Sequence, residues 1–366
     1  MVLRIGDKEL RIIGRARIYV CGITPYDTTH LGHAATYTWL DTAARVLHAD
    51  GLGVDVCRNI TDIDDDILRE ANKRGVDYRV LGTEQTYRFE EDMRSLGVHT
   101  PTYEPRSRDF IEEVVGLAHG LLDLGAAYER NGTVFFKAAN VEAYLGDLSR
   151  DDALALAAQH GGNPDDPAKD DPLDVPLWQA AAAGEPSWPS PWGDGRPGWH
   201  AECTAMAMSL LGTSIDIHGG GGDLAFPHHA YETAQAEALS GVAPFVRAWM
   251  HVGTVRYDGE KMSKSLGNLV YVEDLLERWE PAAIRLCLLS RPWFEDWDFA
   301  EPALEAASAE LEKIWAAGAR TSTQMSGEDA AIAALHDNLD VVGALDIATE
   351  AGGAVTRKIG SILGLY

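Results

Sequence analysis

Two short sequences contain residue types that can handle phosphate groups. One is His30-Leu-Gly32-His33, directly after a strand-like segment, and the other is Lys261-Met-Ser-Lys264-Ser, far downstream. Two imidazoles at the start of a helix can donate hydrogen bonds to phosphate oxygens, and Gly32 would let a nucleotide approach the backbone. The two lysines can neutralise the charge that develops on a leaving pyrophosphate. Each sequence alone would suit an ordinary polar loop, but together they favour a site that binds phosphate groups.

A second group of residues could bind a metal ion. Cys21, Cys203, His228 and Glu232 offer two thiolates, an imidazole and a carboxylate, which make a plausible tetrahedral zinc set. His228 and Glu232 are four residues apart, so they would share one face of a helix that begins near Pro227. The spacing is far too wide for a zinc finger, so the fold would have to bring the set together. The alternative is two buried apolar cysteines and a hydrogen-bonded core histidine.

The elements that must position these residues follow a strand–helix–strand order. Residues 17–22 and 54–60 have the composition of buried strands, and residues 34–49 carry a helical apolar pattern between them. Such a βαβ unit predicts a parallel sheet. A further short strand is expected at 214–218, closed by the four glycines 219–222.

The rest of the chain divides into helical and loop-rich segments. Amphipathic helices are predicted at 76–96 and 108–125. The stretch 150–198 is rich in Asp, Pro and Gly but holds tryptophans, which predicts a long ordered excursion rather than a disordered linker. We therefore expect an α/β protein with the first half of a catalytic Rossmann-type domain at 1–75, a helical and loop insertion at 76–195, the second half of the catalytic domain at 196–290 and a C-terminal helical bundle at 291–366.

Composition limits the class of protein. The chain has 366 residues, 46% of them hydrophobic, but no apolar run approaches the roughly 18 residues of a membrane helix. The start lacks the apolar core of a signal peptide, so a soluble, cytoplasmic protein is expected. No disulfide framework is expected, and Cys57 and Cys287 are interpreted as small buried hydrophobic residues. A formal net charge of −26 disfavours a tRNA partner, because nucleic-acid binding depends on Lys and Arg at phosphates.

Longer stretches around these residues resemble a known family. The matching segments are Tyr19-Val-Cys-Gly-Ile-Thr-Pro-Tyr-Asp27, His30 to Tyr37, Asn59-Ile-Thr-Asp-Ile-Asp-Asp65, Gly184-Glu-Pro-Ser-Trp-Pro-Ser-Pro-Trp192, Gly195 to Cys203, Asp216-Ile-His-Gly-Gly-Gly221, Phe226-Pro-His-His229 and Lys261 to Asn268. In this order they resemble the catalytic half of cysteinyl-tRNA synthetases and, more closely, the cysteine ligases of mycothiol biosynthesis, which join cysteine to glucosaminyl-inositol. The histidine and lysine sequences resemble the two ATP signatures of class I aminoacyl-tRNA synthetases.

The resemblance implies a class I aminoacyl-tRNA synthetase catalytic fold that consumes ATP with Mg²⁺. The implied catalytic residues are His30, His33, Lys261 and Lys264. The implied Zn²⁺ ligands are Cys21, Cys203, His228 and Glu232, to which the thiolate of the substrate would be added, and this would favour cysteine over serine. By the same resemblance Thr24, Thr61 and Trp199 shape the amino-acid pocket, and Gly32, Gly220, Gly221 and Asp223 face the nucleotide or substrate.

Several functions stay open at the level of sequence. The lead hypothesis is a ligase that makes cysteinyl adenylate and transfers cysteine to a small aminosugar amine. It depends on Cys21-Gly-Ile-Thr-Pro and Gly32-His-Ala-Ala, which resemble the mycothiol ligases, and on the mere hundred or so residues after Lys261. A truncated cysteinyl-tRNA synthetase is the second hypothesis, since Glu232 matches the fourth zinc ligand of the synthetases. Further alternatives are a paralogue that joins cysteine or a similar amino acid to another amine, and a non-catalytic binding paralogue. The acceptor and the oligomeric state are not predicted.

Overall fold

The computed structural model describes residues 2–27, 29–263, 266–322 and 326–366. Lys264, one of the predicted catalytic residues, lies outside these ranges. The strands are β1 Leu3–Ile5, β2 Lys8–Leu10, β3 Arg15–Ile23, β4 Gly53–Ile60, β5 Ala127–Arg130, β6 Thr133–Phe136, β7 Val175–Ala180, β8 Gly195–Pro197, β9 Ile215–Gly221, β10 Val246–Val252, β11 Val255–Tyr257, β12 Glu260–Lys261 and β13 Trp297–Phe299. The helices are α1 Leu31–Ala49, α2 Asp65–Arg74, α3 Tyr78–Ser95, α4 Ile111–Asp123, α5 Arg150–Gln159, α6 Trp199–Leu211, α7 Ala230–Ser240, α8 Val272–Leu276, α9 Pro281–Leu289, α10 Glu301–Gly318, α11 Glu328–His336, α12 Val341–Ala351 and α13 Ala354–Ile362. None of the helices within the described ranges is both long and apolar enough to cross a membrane.

A four-stranded parallel sheet forms the centre of the fold. Its strand order is β10-β9-β3-β4, and every neighbouring pair is parallel. Helix α1 connects β3 to β4, which confirms the predicted βαβ unit, and its Leu40 shares one buried apolar core with Ile18 and Ile217 of the sheet. The chain later returns to the other side of β3 as β9, so the order of strands reverses between β3 and β9. In open parallel sheets ligands bind beyond the carboxyl ends of the strands at such a reversal.

A bulge in β3 lies at this end of the sheet. The pairing with β4 shifts between Val20 and Ile23, so that β3 contains one residue more than its partner. Gly22 lies within the bulge, where a Cβ atom would be 1.5 Å from the carbonyl oxygen of Asn59. The side chain of Asn59 replaces the missing strand pairing, because its Oδ1 accepts a hydrogen bond from the Gly22 N–H at 2.8 Å. The close approach of the two strands therefore requires glycine at position 22.

Strand β9 is longer than expected. The prediction of a strand that ends at residue 218 is wrong, because the strand continues through the first three glycines to Gly221. These glycines serve close packing. A Cβ atom at Gly219 would lie 2.5 Å from Leu40 of α1, and one at Gly220 would lie 3.0 Å from the ring of His229. Small residues in β9 thus allow α1 and the turn after β9 to approach the sheet.

The region between the two halves of the parallel sheet contains strands that the sequence analysis did not predict. Strands β5, β6, β7 and β8 form a four-stranded antiparallel sheet in that order. Together with α4 and α5 it encloses a separate apolar core that includes Phe136 and Trp178, with Trp188 and Trp192 packed against it. The expectation of an ordered excursion is confirmed. Strands of three to six residues, interrupted by Pro and Gly, have too few alternations to be detected from sequence.

Helices α10 to α13 form the predicted C-terminal bundle, and a buried arginine of α9 connects it to the sheet domain. The guanidinium of Arg285 donates to Asp41 of α1 at 2.6 Å, to the carbonyl of Leu363 at 2.6 Å and to the carbonyl of Leu96 at 3.1 Å. Although burial opposes ionisation, the hydrogen bond from His99 and the charge of Arg285 hold the pKa of Asp41 well below its ordinary value. One side chain thus satisfies acceptors from three parts of the chain.

Replacing Arg285 with alanine is expected to destabilise the protein strongly. The change removes a buried ion pair with Asp41 and the buried donor of the Leu363 and Leu96 carbonyls, which together cost about 3–5 kcal/mol in free energy of unfolding. Urea denaturation would measure the loss. The matched control is Arg278→Ala, because Arg278 forms a half-exposed pair with Glu301 and such pairs contribute about 1 kcal/mol or less. Equal losses in the two variants would contradict a bridging role for Arg285.

Candidate active site and metal centre

One cavity of about 410 Å³ lies at the carboxyl ends of β3 and β9. It opens where the strand order reverses, and it is lined by members of both groups of residues identified in the sequence. The predicted site residues among its lining are Cys21, Thr24, His30, Gly32, His33, Thr61, Trp199, Cys203, Gly221, Asp223, His228 and Lys261. Gly220 and Glu232 are not part of this lining and lie behind it. The residues predicted to bind phosphate and those predicted to bind metal therefore line the same cavity.

The amino-terminal end of α1 forms one side of the cavity. His30 is the N-cap residue, and its Nδ1 accepts a hydrogen bond from the Gly32 N–H at 3.1 Å. Its ring stacks on that of His33 with 3.8 Å between centroids. Burial lowers the pKa of His30 well below its ordinary value and that of His33 to about 4, so both rings are neutral at pH 7. With Nδ1 of His30 accepting, its Nε2 carries the proton and can donate to an anion.

Lys261 lies across the cavity from α1. Its Nζ forms an ion pair with Oδ2 of Asp223 at 2.6 Å. Although burial opposes ionisation, the Lys261 charge keeps the pKa of Asp223 below its ordinary value. Asp223 lies in the turn after β9, and its lining of the cavity is consistent with its predicted position beside the nucleotide site.

Backbone hydrogen bonds join the two ATP-type sequences. The N–H of Leu31 donates to the carbonyl of Val270 at 2.8 Å, and the N–H of Val272 donates to the carbonyl of Thr29 at 3.0 Å. Residues 270–272 come shortly after the lysine sequence, and residues 29–31 contain the first histidine. The start of α1 and the segment after the lysine sequence are therefore held together by backbone pairing, although they are some 240 residues apart in the chain.

The four predicted metal ligands meet at the other end of the cavity. Ligand atoms of Cys21, Cys203, His228 and Glu232 all lie within 4.8 Å of one another, and all four side chains are buried. Cys21 comes from the bulge of β3, Cys203 from α6, His228 from a π-helical turn at Ala225–His229 and Glu232 from α7. Nε2 of His228 is 3.0 Å from Oε1 of Glu232, as expected for residues four apart on a helical path.

A bound cation would stabilise the ionised forms of the buried thiols and the buried carboxyl group of this set. Burial raises the pKa of Glu232 and, together with Cys203 and Glu232, that of Cys21. A hydrogen bond with Cys21 lowers the pKa of Cys203. Burial and the charge of Glu232 outweigh this effect, so the pKa lies above its ordinary value. Oε2 of Glu232 makes no hydrogen bond within the described residues. Two thiols, a neutral imidazole and a buried carboxyl in one place have the composition of a zinc site, and a divalent cation would compensate the charges that burial disfavours.

Histidines surround the ligand set. Nδ1 of His228 is 2.8 Å from Nδ1 of His200, so the second nitrogen of the ligand is fixed while Nε2 faces Glu232. His218 and His229, interpreted from sequence as core or supporting histidines, form with Cys21 and Glu232 a second group that could hold a metal ion. This group shares Cys21 and Glu232 with the first.

Residues near the amino-acid end include both predicted and unpredicted ones. Trp199 stacks on His228 with 4.1 Å between ring centroids, and Thr61 accepts a hydrogen bond from the Asn59 side chain at 3.0 Å. Sequence reasoning missed His200, although it directly follows Trp199, and Asn59, although it begins a matching segment. It also missed His160, whose position in the insertion gave no signal. The roles of the predicted site residues stay predictions.

The comparisons with known proteins agree with this geometry. Residues 10–309 match the model of the family described as tRNA synthetases class I (C) catalytic domain. The chain is 41% identical to an L-cysteine:1D-myo-inositol 2-amino-2-deoxy-α-D-glucopyranoside ligase of Corynebacterium aurimucosum, over 98% of this chain and 92% of that protein. It is 43% identical to a cysteine–tRNA ligase of Pelobacter propionicus, over 90% of this chain and 68% of that protein.

Solved structures show the same fold at low sequence identity. A methionyl-tRNA synthetase of Mycobacterium tuberculosis bound by methionyl-adenylate matches with a TM-score of 0.64 and 16% identity, over 95% of this chain and 84% of that chain. The expected α/β fold of the class I synthetases is thereby confirmed. The chain belongs to the family of class I (C) tRNA synthetase catalytic domains, which it shares with cysteine:aminosugar ligases and cysteine–tRNA ligases.

Proposed function

We propose that this protein is a zinc-dependent ligase that joins cysteine to the amine of a glucosaminyl-inositol at the expense of ATP. ATP and cysteine give cysteinyl adenylate and pyrophosphate, and the amine then displaces AMP to form an amide. The observation that carries the proposal is that one cavity has the proposed metal ligands at one end and, at the other, Lys261 and the histidines at the start of α1. The ligases at 41–46% identity support the acceptor.

The histidine end of the cavity would stabilise the first step. A carboxylate oxygen of cysteine attacks the α-phosphorus of ATP, and the bond to the pyrophosphate oxygen breaks. His30 and His33 are neutral, so they would donate hydrogen bonds to phosphate oxygens without requiring protonation near pH 7. Lys261, released from Asp223, would compensate the charge of the leaving pyrophosphate, and Lys264 is proposed to assist it. ATP would bind with Mg²⁺.

The end of the cavity at which the four proposed metal ligands meet would select the amino acid. Cys21, Cys203, His228 and Glu232 would hold Zn²⁺. When bound, zinc supplies a Lewis acid that takes the thiolate of cysteine far better than the neutral hydroxyl of serine. Thr24, Thr61 and Trp199 would bound the remaining volume around the amino acid.

The second step needs a neutral amine. Its lone pair attacks the carbonyl carbon of the adenylate, the bond to the AMP oxygen breaks, and the attacking nitrogen loses its extra proton to solvent or to a nearby base, which leaves the amide. A small polyhydroxyl amine can reach this carbon without the extended basic surface that a tRNA needs, which agrees with the net charge of −26. The requirement for ATP and reduced thiols favours the cytoplasm as the location.

Product analysis with competing acceptors tests the proposal. The zinc-loaded protein would be incubated with ATP, Mg²⁺ and cysteine, with glucosaminyl-inositol in one reaction and bulk tRNA in another. We expect AMP release and the mass of the cysteinyl-aminosugar amide in the first reaction alone. Serine in place of cysteine is the matched control and should give no product above background.

Two observations favour a second candidate, a cysteine–tRNA ligase. Glu232 completes the four-ligand set, and the tRNA ligase of P. propionicus is as similar in identity as the aminosugar ligases. Charging of tRNA with no amide from the aminosugar would establish this candidate and overturn the first. Cysteine-dependent exchange of pyrophosphate into ATP with neither acceptor product would retain the activation step and replace the acceptor with another amine.

A further inference from the structure

A histidine of the insertion lies beside the amino-acid end of the cavity. His160 is the C-cap residue of α5, and its N–H donates to the carbonyls of Leu156 and Ala157. Helix α5 packs against the π-helical turn that carries His228, with Ala153 of α5 and Phe226 of the turn in the same buried core. The helix therefore has a fixed position relative to a proposed metal ligand.

The ring of His160 completes a stack of three side chains. His160 and Trp199 have ring centroids 6.2 Å apart and planes inclined by 18°. Trp199 and His228 have centroids 4.1 Å apart and planes inclined by 17°. The indole of Trp199 thus makes ring contacts with a histidine of the insertion and with a histidine of the metal set. Aromatic rings at such separations attract one another beyond the burial of their area.

The charge around His160 suits a stacking role. Burial lowers the pKa of His160, the nearby Asp223 opposes this effect, and Lys261 reinforces it. The ring is therefore predominantly neutral at pH 7. A neutral ring can cover Trp199 without placing a second positive charge beside the metal set and Lys261.

We propose that His160 is a positioning residue that holds the indole of Trp199 against the metal-ligand histidine and so sets the wall of the amino-acid pocket. This inference deepens the proposed function and rests on it. Trp199 is the first residue of α6, so its backbone is fixed at a helix start, while its ring contacts two rings from elements distant in sequence. The insertion thereby contributes directly to amino-acid selection, although the predicted metal and ATP residues lie outside it.

The test compares His160→Ala with His160→Phe. Loss of the ring should raise the KM for cysteine in ATP–pyrophosphate exchange by about two- to tenfold, the range that an aromatic pair provides. The kcat and the KM for ATP should change by less than about twofold, since ground-state binding of the amino acid is altered. The dissociation constant of L-cysteine, measured by calorimetry on the zinc-loaded protein, should rise by the same factor as the KM. His160→Phe, which retains an aromatic ring, should restore most of the wild-type KM and affinity.

The matched control is Gln159→Ala, an exposed neighbour on α5 that should leave both KM values, kcat and the dissociation constant of cysteine unchanged. Zinc content should be equal in all variants. An unchanged affinity for cysteine in His160→Ala, or an equal defect in His160→Phe, would overturn the positioning role. Absence of cysteine-dependent exchange in the wild-type protein would instead defeat the proposed function, and the calorimetric comparison would still decide the role of His160.

Discussion

Replacing Cys203 with serine is expected to remove both zinc and the activation of cysteine. Cys203 is buried and its sulfur lies within 4.8 Å of the three other proposed ligand atoms. Loss of residues that merely support a metal ligand costs about 10–100-fold in metal affinity, so loss of a ligand should cost more than about 100-fold. Zinc content after dialysis and cysteine-dependent ATP–pyrophosphate exchange would both be measured. We expect both to fall together, because the metal would hold the substrate thiolate.

The control for this prediction is another buried cysteine. Cys57 is 0% exposed and belongs to the same apolar cluster as Cys203, but it is not a member of either potential metal group. Cys57→Ala should therefore retain zinc and exchange activity, apart from a loss of stability from the small cavity. Full zinc content and full cysteine activation in Cys203→Ser would remove Cys203 from the site.

Replacing His33 with alanine is expected to slow adenylate formation by about 10²–10³-fold in kcat, as removal of a preorganised donor does in other enzymes. The reason is its position. The ring is stacked on His30 at the start of α1, and its Nδ1 is buried without a hydrogen-bond partner in the described structure. His33 also lines the cavity, so its ring can contact a ligand bound there. Initial rates of pyrophosphate exchange at saturating ATP would measure the change.

Two checks accompany the His33 variant. His48→Ala removes an exposed histidine near the other end of the same helix and should leave kcat unchanged. The wild-type enzyme provides the second check: because burial lowers the pKa of His33 to about 4, this ring stays neutral on both sides of the ordinary histidine pKa of about 6.5. The rate should accordingly show no loss from protonation of His33 as pH falls through that value. Wild-type rates in His33→Ala would exclude His33 from the phosphate site.

The parts of the site that local sequence could predict are those that a strand–helix–strand unit places by rule. His30 and His33 begin a helix after a buried strand, so their position at the carboxyl end of the sheet follows from the βαβ arrangement. His228 and Glu232 follow from helical spacing. The association of Cys21 with Cys203 did not follow from spacing, because it depends on how β3 and α6 pack, and it was predicted from family resemblance.

Other features depend on contacts between distant segments. The contact between His160 and Trp199 requires α5 to pack on the turn at Ala225–His229. No local pattern in either segment predicts that the two elements are in contact. The antiparallel sheet of the insertion depends on pairing between β6 and β7, which are separated by α5 and a long loop. The buried network of Arg285 joins three such segments. These features depend on tertiary packing, which the periodicity of hydrophobic residues along the chain does not predict.

The bulge at Gly22 provides a criterion for comparing related genes. Position 22 requires glycine because of the carbonyl of Asn59, and the Asn59 side chain in turn completes the pairing that the bulge interrupts. These two residues bind no metal in the proposed site, yet they position Cys21. A homologue that lost the metal ligands but kept the β3–β4 pairing would still need both residues. Paired retention of this glycine and asparagine in a divergent homologue would therefore indicate that the bulge is preserved, even where a ligand has been replaced.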